Sequence, residues 1–311
     1  MHGTIAVTDT GWYEFLSQRH LQEVNFWTPS DRREFRAPDF SPFLFKLKAP
    51  HNAICGFAYF ARWSSLPDWL AWESFSEGNG CGSLEQMRER IGAIRQRIGY
   101  RPTNTPANIG CILLVQPTFF AAEDWIPQPA DWPARTVTSK SYDLSKGEGL
   151  RVWEACQDRA AVQQLFSSGD LMVVRPPHAR YGKPHLARPR LGQGTFRIAV
   201  MEAYSRSCSV TEEHSLPALE AAHIRSFAAD GPHDVTNGIL LRADLHRLFD
   251  KGYLTVTPEQ RLEVSGRLRE DFSNGRSYYP LHGKTLRLPE VVGYHPAPEH
   301  LRWHNENVFL G

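Results

Sequence analysis

The sequence predicts an α+β protein of two domains, and three observations support this class. The 311 residues exceed the usual size of a single domain. Hydrophobic residues make up 41% of the chain and charged residues 22%, values that are typical of a folded globular protein and exclude an intrinsically disordered one. Short apolar runs bounded by turns alternate with a few segments of helical period. The mixture indicates a small, strongly curved sheet with few helices.

Charge and cysteine usage limit the function classes. The formal net charge is +1, so any affinity for nucleic acid must come from local patches of charge. The five cysteines include no CxxC pair, and an odd number without paired spacing indicates a reducing cytoplasm rather than disulfides or a zinc knuckle. We find no leader sequence and no run of about 18 apolar residues, so neither secretion nor membrane insertion is expected.

The first half of the chain is rich in strand-like runs. The runs expected to form strands are 23–27, 43–48, 54–60 and 109–117. Gly56 lies inside the third run and predicts a bulge there. Residues 83–98 have helical period, and the apolar face predicted for this helix consists of Met87, Ile91, Ile94 and Ile98.

Several of these segments resemble a known superfamily. The motifs FLFKLK, GFAYF, LAWESF, IGCILL and PTFF are similar to those of PUA-like proteins, more specifically of EVE-type domains. That superfamily also holds the YTH, ASCH and SRA domains, which read modified bases or nucleotides. The resemblance implies that residues 1–155 form a curved β-barrel that holds an extruded base among aromatic rings.

Aromatic residues of the first domain supply material for such a pocket, although most aromatics in short strands belong to the core. The candidates are Phe26, Trp27, Tyr59, Phe60, Trp63, Trp69 and Trp72. Tryptophans in turn-rich segments with proline are less easily explained by packing. The residues expected in the base-binding pocket are Trp27, Tyr59, Trp69 and Trp72.

A helix and a basic, proline-rich linker are predicted for residues 156–194. Between positions 175 and 197 the chain has several cations and prolines but no Asp or Glu. A solvated linker usually mixes both signs of charge, so this stretch predicts a strap that contacts DNA phosphates; a basic linker without a partner is the alternative. The predicted phosphate contacts are Arg175, Arg180, Lys183, Arg188, Arg190 and Arg197.

Residues 217–256 predict a compact unit of strand, loop, strand and helix. Residues 219–224 are a short apolar run that includes His223. A loop rich in Gly, Pro and Asp follows, and Asn237-Gly238 predicts a tight turn into the second strand. Asp244 has the position of an N-cap for the helix that carries His246.

His223, Asn237 and His246 fall on three successive pieces of this unit, and their order and spacing resemble the HNH nuclease family with its ββα-metal fold. The resemblance implies an HNH nuclease domain at residues 195–311. It implies that His223 is the general base, that Asn237 braces the loop, and that His246 ligates a metal. Histidine suits deprotonation of water near neutral pH, and a metal neutralises charge on the phosphate.

The remaining metal ligands are less constrained by the sequence. Asp250 lies four residues after His246 and therefore on the same side of the helix. Glu220 is the carboxylate nearest to the base, but in a regular strand it points away from His223, so it ligates only if the strand bulges. The carbonyl oxygen of Asn237 is a further candidate. One imidazole with oxygen ligands suits Mg²⁺ or Mn²⁺, with Ni²⁺ or Zn²⁺ as substitutes in vitro.

Together these patterns predict a modification-dependent DNA endonuclease. The first domain would flip and inspect a modified base in double-stranded DNA, 5-methyl- or 5-hydroxymethylcytosine, and the second would hydrolyse phosphodiesters. One active site nicks one strand, so double-strand cleavage requires a homodimer or a second binding event. Two alternatives stay open: a defence effector nuclease whose first domain binds a small nucleotide signal, and a DNA-binding module without catalysis. The complete set of His223, Asn237 and His246 argues against the second alternative.

Overall fold

In a computed structural model, the chain divides into two compact units, Met1–Pro189 and Arg190–Gly311. The structure describes residues 1–101, 107–135, 138–167 and 191–311, with the backbone alone for 164–167. The predicted domain boundaries, at 155 and 194, stay a prediction. Most of the predicted phosphate strap lies outside the described residues, namely Arg175, Arg180, Lys183, Arg188 and Arg190.

The N-terminal unit is built on a seven-stranded mixed sheet. Its strands are β1 (His2–Thr8), β2 (Glu23–Thr28), β3 (Pro42–Leu47), β4 (Ala53–Leu66), β5 (Ile109–Phe119), β6 (Ile126–Pro127) and β7 (Ser139–Asp143). The order is β2-β5-β4-β3-β1-β7, with β6 paired to β4. Only β1 and β3 pair in parallel within the described sheet. The α+β class is confirmed, but in the described part of the chain strand pairing does not close this sheet into the expected barrel.

Strand β4 is longer than the apolar run that predicted it, and the bulge predicted at Gly56 is confirmed. The pairing of β3 with β4 shifts register between Phe45 and Lys46, opposite Gly56. The backbone at Gly56 has φ +157°, and a Cβ there would lie 2.3 Å from the carbonyl oxygen of Thr118 on β5. Only glycine therefore allows the strands to approach so closely at this bend.

The described part of the N-terminal unit has four α-helices: α1 (Thr10–Ser17), α2 (Asp68–Phe75), α3 (Leu84–Arg97) and α4 (Gly147–Ser167). Ser83 caps α3, because its hydroxyl accepts the N–H of Gln86 at 3.2 Å. Met87 and Ile91 are buried as predicted, whereas Ile98 follows the end of the helix and is 56% exposed. The predicted apolar face was thus one turn too long.

The C-terminal unit carries four strands and four helices. They are α5 (Gln193–Ala203), β8 (Leu219–His223), β9 (Gly238–Arg242), α6 (Ala243–Asp250), β10 (Leu254–Val256), β11 (Leu262–Val264), α7 (Arg267–Phe272) and α8 (Pro298–Asn307). Strands β8 and β9 form one antiparallel pair and β10 and β11 another. Helices α5 and α6 pack against β8 and β9, so the predicted order of strand, loop, strand and helix is confirmed. None of the helices in the described ranges has the length and apolar character needed to cross a bilayer.

Two local predictions in this unit were wrong. Asn237 ends a short 3-10 helix, Val235–Asn237, and Gly238 begins β9 with an extended backbone, so the pair does not form a hairpin turn. Gly238 instead allows close packing, since a Cβ there would lie 2.4 Å from Cγ2 of Val200 on α5. Asp244 does not cap α6; it lies in the first turn, and its carboxylate accepts two hydrogen bonds from the Arg242 guanidinium.

Candidate functional site

The N-terminal unit contains a cavity of about 790 Å³, a size that is typical of small-ligand sites. Aromatic side chains form much of its wall, namely Trp12, Phe26, Trp27, Phe35, Phe43 and Trp63. Trp27 is held in place because its indole N–H donates to the carbonyl of Asn79 at 3.0 Å. Four exposed cations also line the cavity, namely Arg32, Arg33, Arg36 and Lys48. Flat rings beside cations suit a planar, negatively charged ligand such as a nucleotide.

Of the predicted pocket residues, Trp27 lines this cavity, and Tyr59, Trp69 and Trp72 do not. Tyr59 packs against a core cluster, with its ring 5.8 Å from that of Phe57. Trp69 and Trp72 lie on α2, whose first residue follows the N-cap proline, so helix initiation explains the turn-rich composition around them. Their role in binding a base stays a prediction. Phe26 and Trp63, named from the sequence as pocket material, do line the cavity.

In the C-terminal unit, His223 ends β8 and packs under α5. Its ring stacks on Phe196 with centroids 3.9 Å apart and an interplanar angle of 13°. Burial is the largest cause that lowers its pKa, to about 4, and the charges of His233 and His246 act in the same direction while Asp250 opposes them. The imidazole is therefore neutral at pH 7 and has a lone pair available for a proton.

Asn237 is fully buried and joins both ends of the loop between β8 and β9. Its Oδ1 accepts the N–H of Arg225, and its Nδ2 donates to the carbonyls of Arg225 and Pro232, each at 2.9 Å. Its own backbone carbonyl accepts the N–H of Ile224 at 3.0 Å. These hydrogen bonds hold the segment next to His223 in place. Each oxygen of Asn237 accepts one hydrogen bond, and a role for this residue as a metal ligand stays a prediction.

His246 on α6 lies between two carboxylates. Its Nδ1 is 2.7 Å from Oε2 of Glu220, and its Nε2 is 3.3 Å from Oδ2 of Asp250. Desolvation lowers the pKa of His246, but the hydrogen bonds and charges of Asp250 and Glu220 together outweigh it, so the pKa is raised above its ordinary value. Without a cation, this arrangement favours the imidazolium.

Glu220 contacts His246 from a regular strand, without the bulge that the sequence analysis required for Glu220 to face His223. Strand β8 pairs with β9 in continuous register from Leu219 to His223. The side chain of Glu220 is 41% exposed, and it reaches Nδ1 of His246 because α6 packs against β8. The ligand role expected for Glu220 stays a prediction.

His233 is a site residue that the sequence analysis missed. Its Nδ1 lies 3.1 Å from Nε2 of His223, and the two rings meet at 70° with centroids 5.0 Å apart. The available signal was a histidine beside Gly231 and Pro232, within the loop that follows the base. Loop composition alone did not show that this loop folds back over β8.

The geometry of His223, Asn237 and His246 agrees with a comparison of the sequence with protein families. Residues 208–257 match the family described as HNH endonuclease. This segment is an HNH endonuclease domain. No curated protein is significantly similar to the chain. The match supports a nuclease function for this segment.

Two solved structures are similar to this chain, one over half of it and one over nearly all of it. The crystal structure of ASCH from Zymomonas mobilis is 11% identical, with a TM-score of 0.35, and the match covers 49% of this chain and 94% of that one. The modification-dependent TagI restriction endonuclease is 13% identical, with a TM-score of 0.28, and the match covers 97% of this chain and 81% of that one.

HNH endonucleases generally use a divalent metal. The side chains of this HNH domain suit a metal ion that takes two ligands from the protein. Within the described ranges, no three His, Cys, Asp or Glu side chains form a ready metal-binding group. The carboxylates of Glu220 and Asp250 lie beside opposite nitrogens of His246. A single metal ion can therefore be bound by the ring together with only one of the two carboxylates. Mg²⁺ keeps several waters and takes one or two carboxylates, which agrees with this set.

Arg197, the one predicted phosphate contact within the described residues, lies on α5 of the same unit and is partly exposed. It follows Phe196, the residue on which His223 stacks. Its role in binding DNA stays a prediction.

Proposed function

We propose that the protein is a modification-dependent DNA endonuclease, in which the N-terminal unit binds a flipped, modified base and the HNH domain hydrolyses the duplex. The observation that carries the proposal is an HNH site joined to a separate unit with an aromatic cavity of about 790 Å³. A small ββα site has little room to read base edges, so recognition by a second unit explains why both occur in one chain.

The cavity has the chemistry that an extruded nucleotide requires. Trp27, Phe35 and Trp63 are partly exposed rings in its wall, and base stacking on such rings contributes about 1–3 kcal/mol per base. The four cations of the lining supply contacts for the flanking phosphates, although the Arg36 guanidinium also pairs with Glu34 at 2.6 Å. The base we propose is 5-methyl- or 5-hydroxymethylcytosine, because an apolar wall accommodates a substituent at C5.

In the HNH domain, neutral His223 takes a proton from water, and Asn237 holds the loop that orients it. His246 and Asp250 would hold the metal through Nε2 and Oδ2, which lie 3.3 Å apart on one side of α6. The cation, Mg²⁺ or Mn²⁺, neutralises charge on the phosphate and on the departing 3′ oxygen when bound. We propose that Glu220 orients His246 by accepting its Nδ1–H, in place of the ligand role expected from the sequence.

The decisive experiment compares cleavage of plasmids that differ only in cytosine modification, using the full chain with Mg²⁺ or Mn²⁺. Trp27→Ala should lose the preference for modified DNA and keep non-selective nicking. Trp72→Ala is the matched control, since it removes the same ring from outside the cavity. Equal cutting of modified and unmodified plasmid by the wild type would refute the proposal. Loss of preference in Trp72→Ala alone would show that the modified base binds outside the cavity.

The same cavity supports one other candidate, a nuclease released by a small nucleotide signal. Its exposed cations would bind the phosphates of a free nucleotide equally well. Adding mononucleotides and cyclic nucleotides to the unmodified plasmid distinguishes the two functions. Cutting that appears only with a nucleotide, regardless of DNA modification, would favour the signal-triggered enzyme.

Compartment and assembly form part of the same proposal. All five cysteines are free and buried, which suits a reducing cytoplasm, where DNA is accessible. A single HNH site cuts one strand, so we propose that a homodimer produces double-strand breaks. Sedimentation with and without modified duplex measures this assembly.

A further inference from the structure

The loop between β8 and β9 places a second imidazole against the proposed general base. Nδ1 of His233 lies 3.1 Å from Nε2 of His223, within hydrogen-bond distance. Two neutral imidazoles share only one proton at such a contact, so one ring donates and the other accepts. The direction of this bond decides which nitrogen of His223 keeps a lone pair.

A tight backbone turn and stacking on phenyl rings fix the positions of the His223 and His233 rings. A Cβ at Gly231 would lie 1.9 Å from the carbonyl oxygen of Arg225, so only glycine allows the chain to turn back there. His233 then stacks on Phe227 with centroids 4.8 Å apart, just as His223 stacks on Phe196. The two outer phenyl rings hold the edge of one imidazole against the other.

The two directions of the bond have different chemical consequences. If His233 donates, the lone pair of His223 at Nε2 is occupied and its single proton is at Nδ1, so the neutral ring has no site for a proton from water. If His223 donates, its proton is at Nε2 and its lone pair is at Nδ1. Among the described residues, Nε2 is the nitrogen of His223 that has a hydrogen-bond partner.

We propose that His233 is a positioning residue that accepts the Nε2–H of His223 and thereby keeps the lone pair at Nδ1 for water. This inference rests on the proposed role of His223 as general base. In the step, the water proton moves to Nδ1 and the hydroxide oxygen bonds to phosphorus. The bond from phosphorus to the 3′ oxygen breaks, and that oxygen takes a proton from solvent. His223 then releases the Nδ1 proton to bulk water.

Three substitutions in the full chain separate this role from simple packing. His233→Phe keeps a stacking ring and removes the acceptor, whereas His233→Asn keeps an oxygen acceptor near the position of Nδ1. His214→Phe is the matched control, because it makes the same change at an exposed histidine outside the site. A histidine held in the wrong tautomer costs about 10⁴-fold in the Ser-His-Asp triad, where the partner is charged. For an imidazole partner we expect a kcat roughly tenfold lower in His233→Phe, with KM for DNA unchanged.

Nitrogen NMR of histidine-labelled protein reads the tautomer directly and independently of cutting. The wild type should show His223 protonated at Nε2 and bare at Nδ1, with its signals assigned by their loss in His223→Gln. His233→Phe should give a mixture of tautomers, and His233→Asn should restore most of both kcat and the wild-type signal. Wild-type kcat in His233→Phe, an equal loss in a folded His233→Asn, or a proton on Nδ1 of His223 in the wild type would each overturn the proposal.

The two proposals fail in different ways. If the wild type cuts no DNA with any metal, the nuclease assignment fails, while the NMR measurement still reports the tautomer. If it cuts and His233→Phe cuts equally well, only the role of His233 fails. Should His233→Phe not fold, the tautomer in the wild type and the kcat of His233→Asn decide the question.

Discussion

Replacing Asn237 tests whether the loop next to the base is held by one side chain. Asn237→Ala leaves the N–H of Arg225 and the carbonyls of Arg225 and Pro232 without their partner, since all three bonds of 2.9 Å go to this amide. An unsatisfied buried group costs about 1–3 kcal/mol, and Pro232 is exposed enough for water to replace one bond. We expect the loop to lose roughly 3 kcal/mol, which is about a 100-fold increase in its open population.

Asn237→Asp gives a sharper result because it preserves shape and reverses one end of the amide. One carboxylate oxygen still accepts the N–H of Arg225, but the other faces two carbonyl oxygens where Nδ2 donated. We expect this variant to be at least as unstable as Asn237→Ala at pH 7. Repulsion raises the folded-state pKa of the introduced carboxyl, so the variant is relatively more stable at low pH and loses that stability as pH rises through the raised pKa.

Hydrogen exchange measures the loop directly, because the amides of Ile224 and Arg225 both donate to atoms of Asn237. Peptides that cover 223–237 should exchange faster in both variants, and peptides of the N-terminal unit should not change. Asn307→Ala is the control, as it removes an exposed amide whose bond goes to the carbonyl of Trp303. Wild-type protection of Arg225 in Asn237→Ala, or of the whole loop in Asn237→Asp, would show that Asn237 is not the brace.

Three further outcomes follow from the C-terminal unit. Burial lowers the pKa of His304 to about 4 in the folded state. Its contribution to stability is therefore present above pH 6.5 and decreases by up to about 3 kcal/mol as pH falls to 4. Denaturant titrations of the wild type and of His304→Gln at pH 4 and above pH 6.5 should show this difference. Glu220→Gln should weaken Mn²⁺ binding about 10- to 100-fold, and His246→Ala should abolish it, in calorimetry without DNA. Gly238→Ala should lower the free energy of unfolding by about 1–3 kcal/mol, because its Cβ would overlap Val200; an unchanged midpoint would contradict the packing.

The HNH domain could be predicted from sequence because its elements are local. β8, the loop, β9 and α6 lie within 32 consecutive residues, Leu219–Asp250, so the order of His223, Asn237 and His246 along the chain reports their order in space. Apolar periodicity placed the strands to within a residue or two. The turn at Asn237-Gly238 was predicted wrongly because that dipeptide favours hairpins in general, whereas here tertiary packing against α5 requires the glycine.

The cavity residues were harder to predict because they come from distant parts of the chain. Trp27 on β2 and Trp63 on β4 face one cavity only because β5 pairs with both strands. Trp69 and Trp72 were expected in the pocket because packing did not readily explain tryptophans in a turn-rich segment, and helix initiation explains that composition. No local pattern distinguishes a ring that lines a cavity from a ring that fills a core, since both occur at alternating strand positions.

The opposite pKa displacements of His223 and His246 agree with the different roles proposed for them. Burial against Phe196 keeps His223 neutral, which leaves a lone pair for a proton at pH 7. Two carboxylates raise the pKa of His246, so its nitrogens lie where positive charge is favoured, and a divalent cation satisfies that preference better than a proton. These environments support the proposal that His223 takes part in proton transfer and His246 in charge stabilisation. The assignment depends on α6 holding His246 between Glu220 and Asp250, and therefore on the packing of α6 against β8.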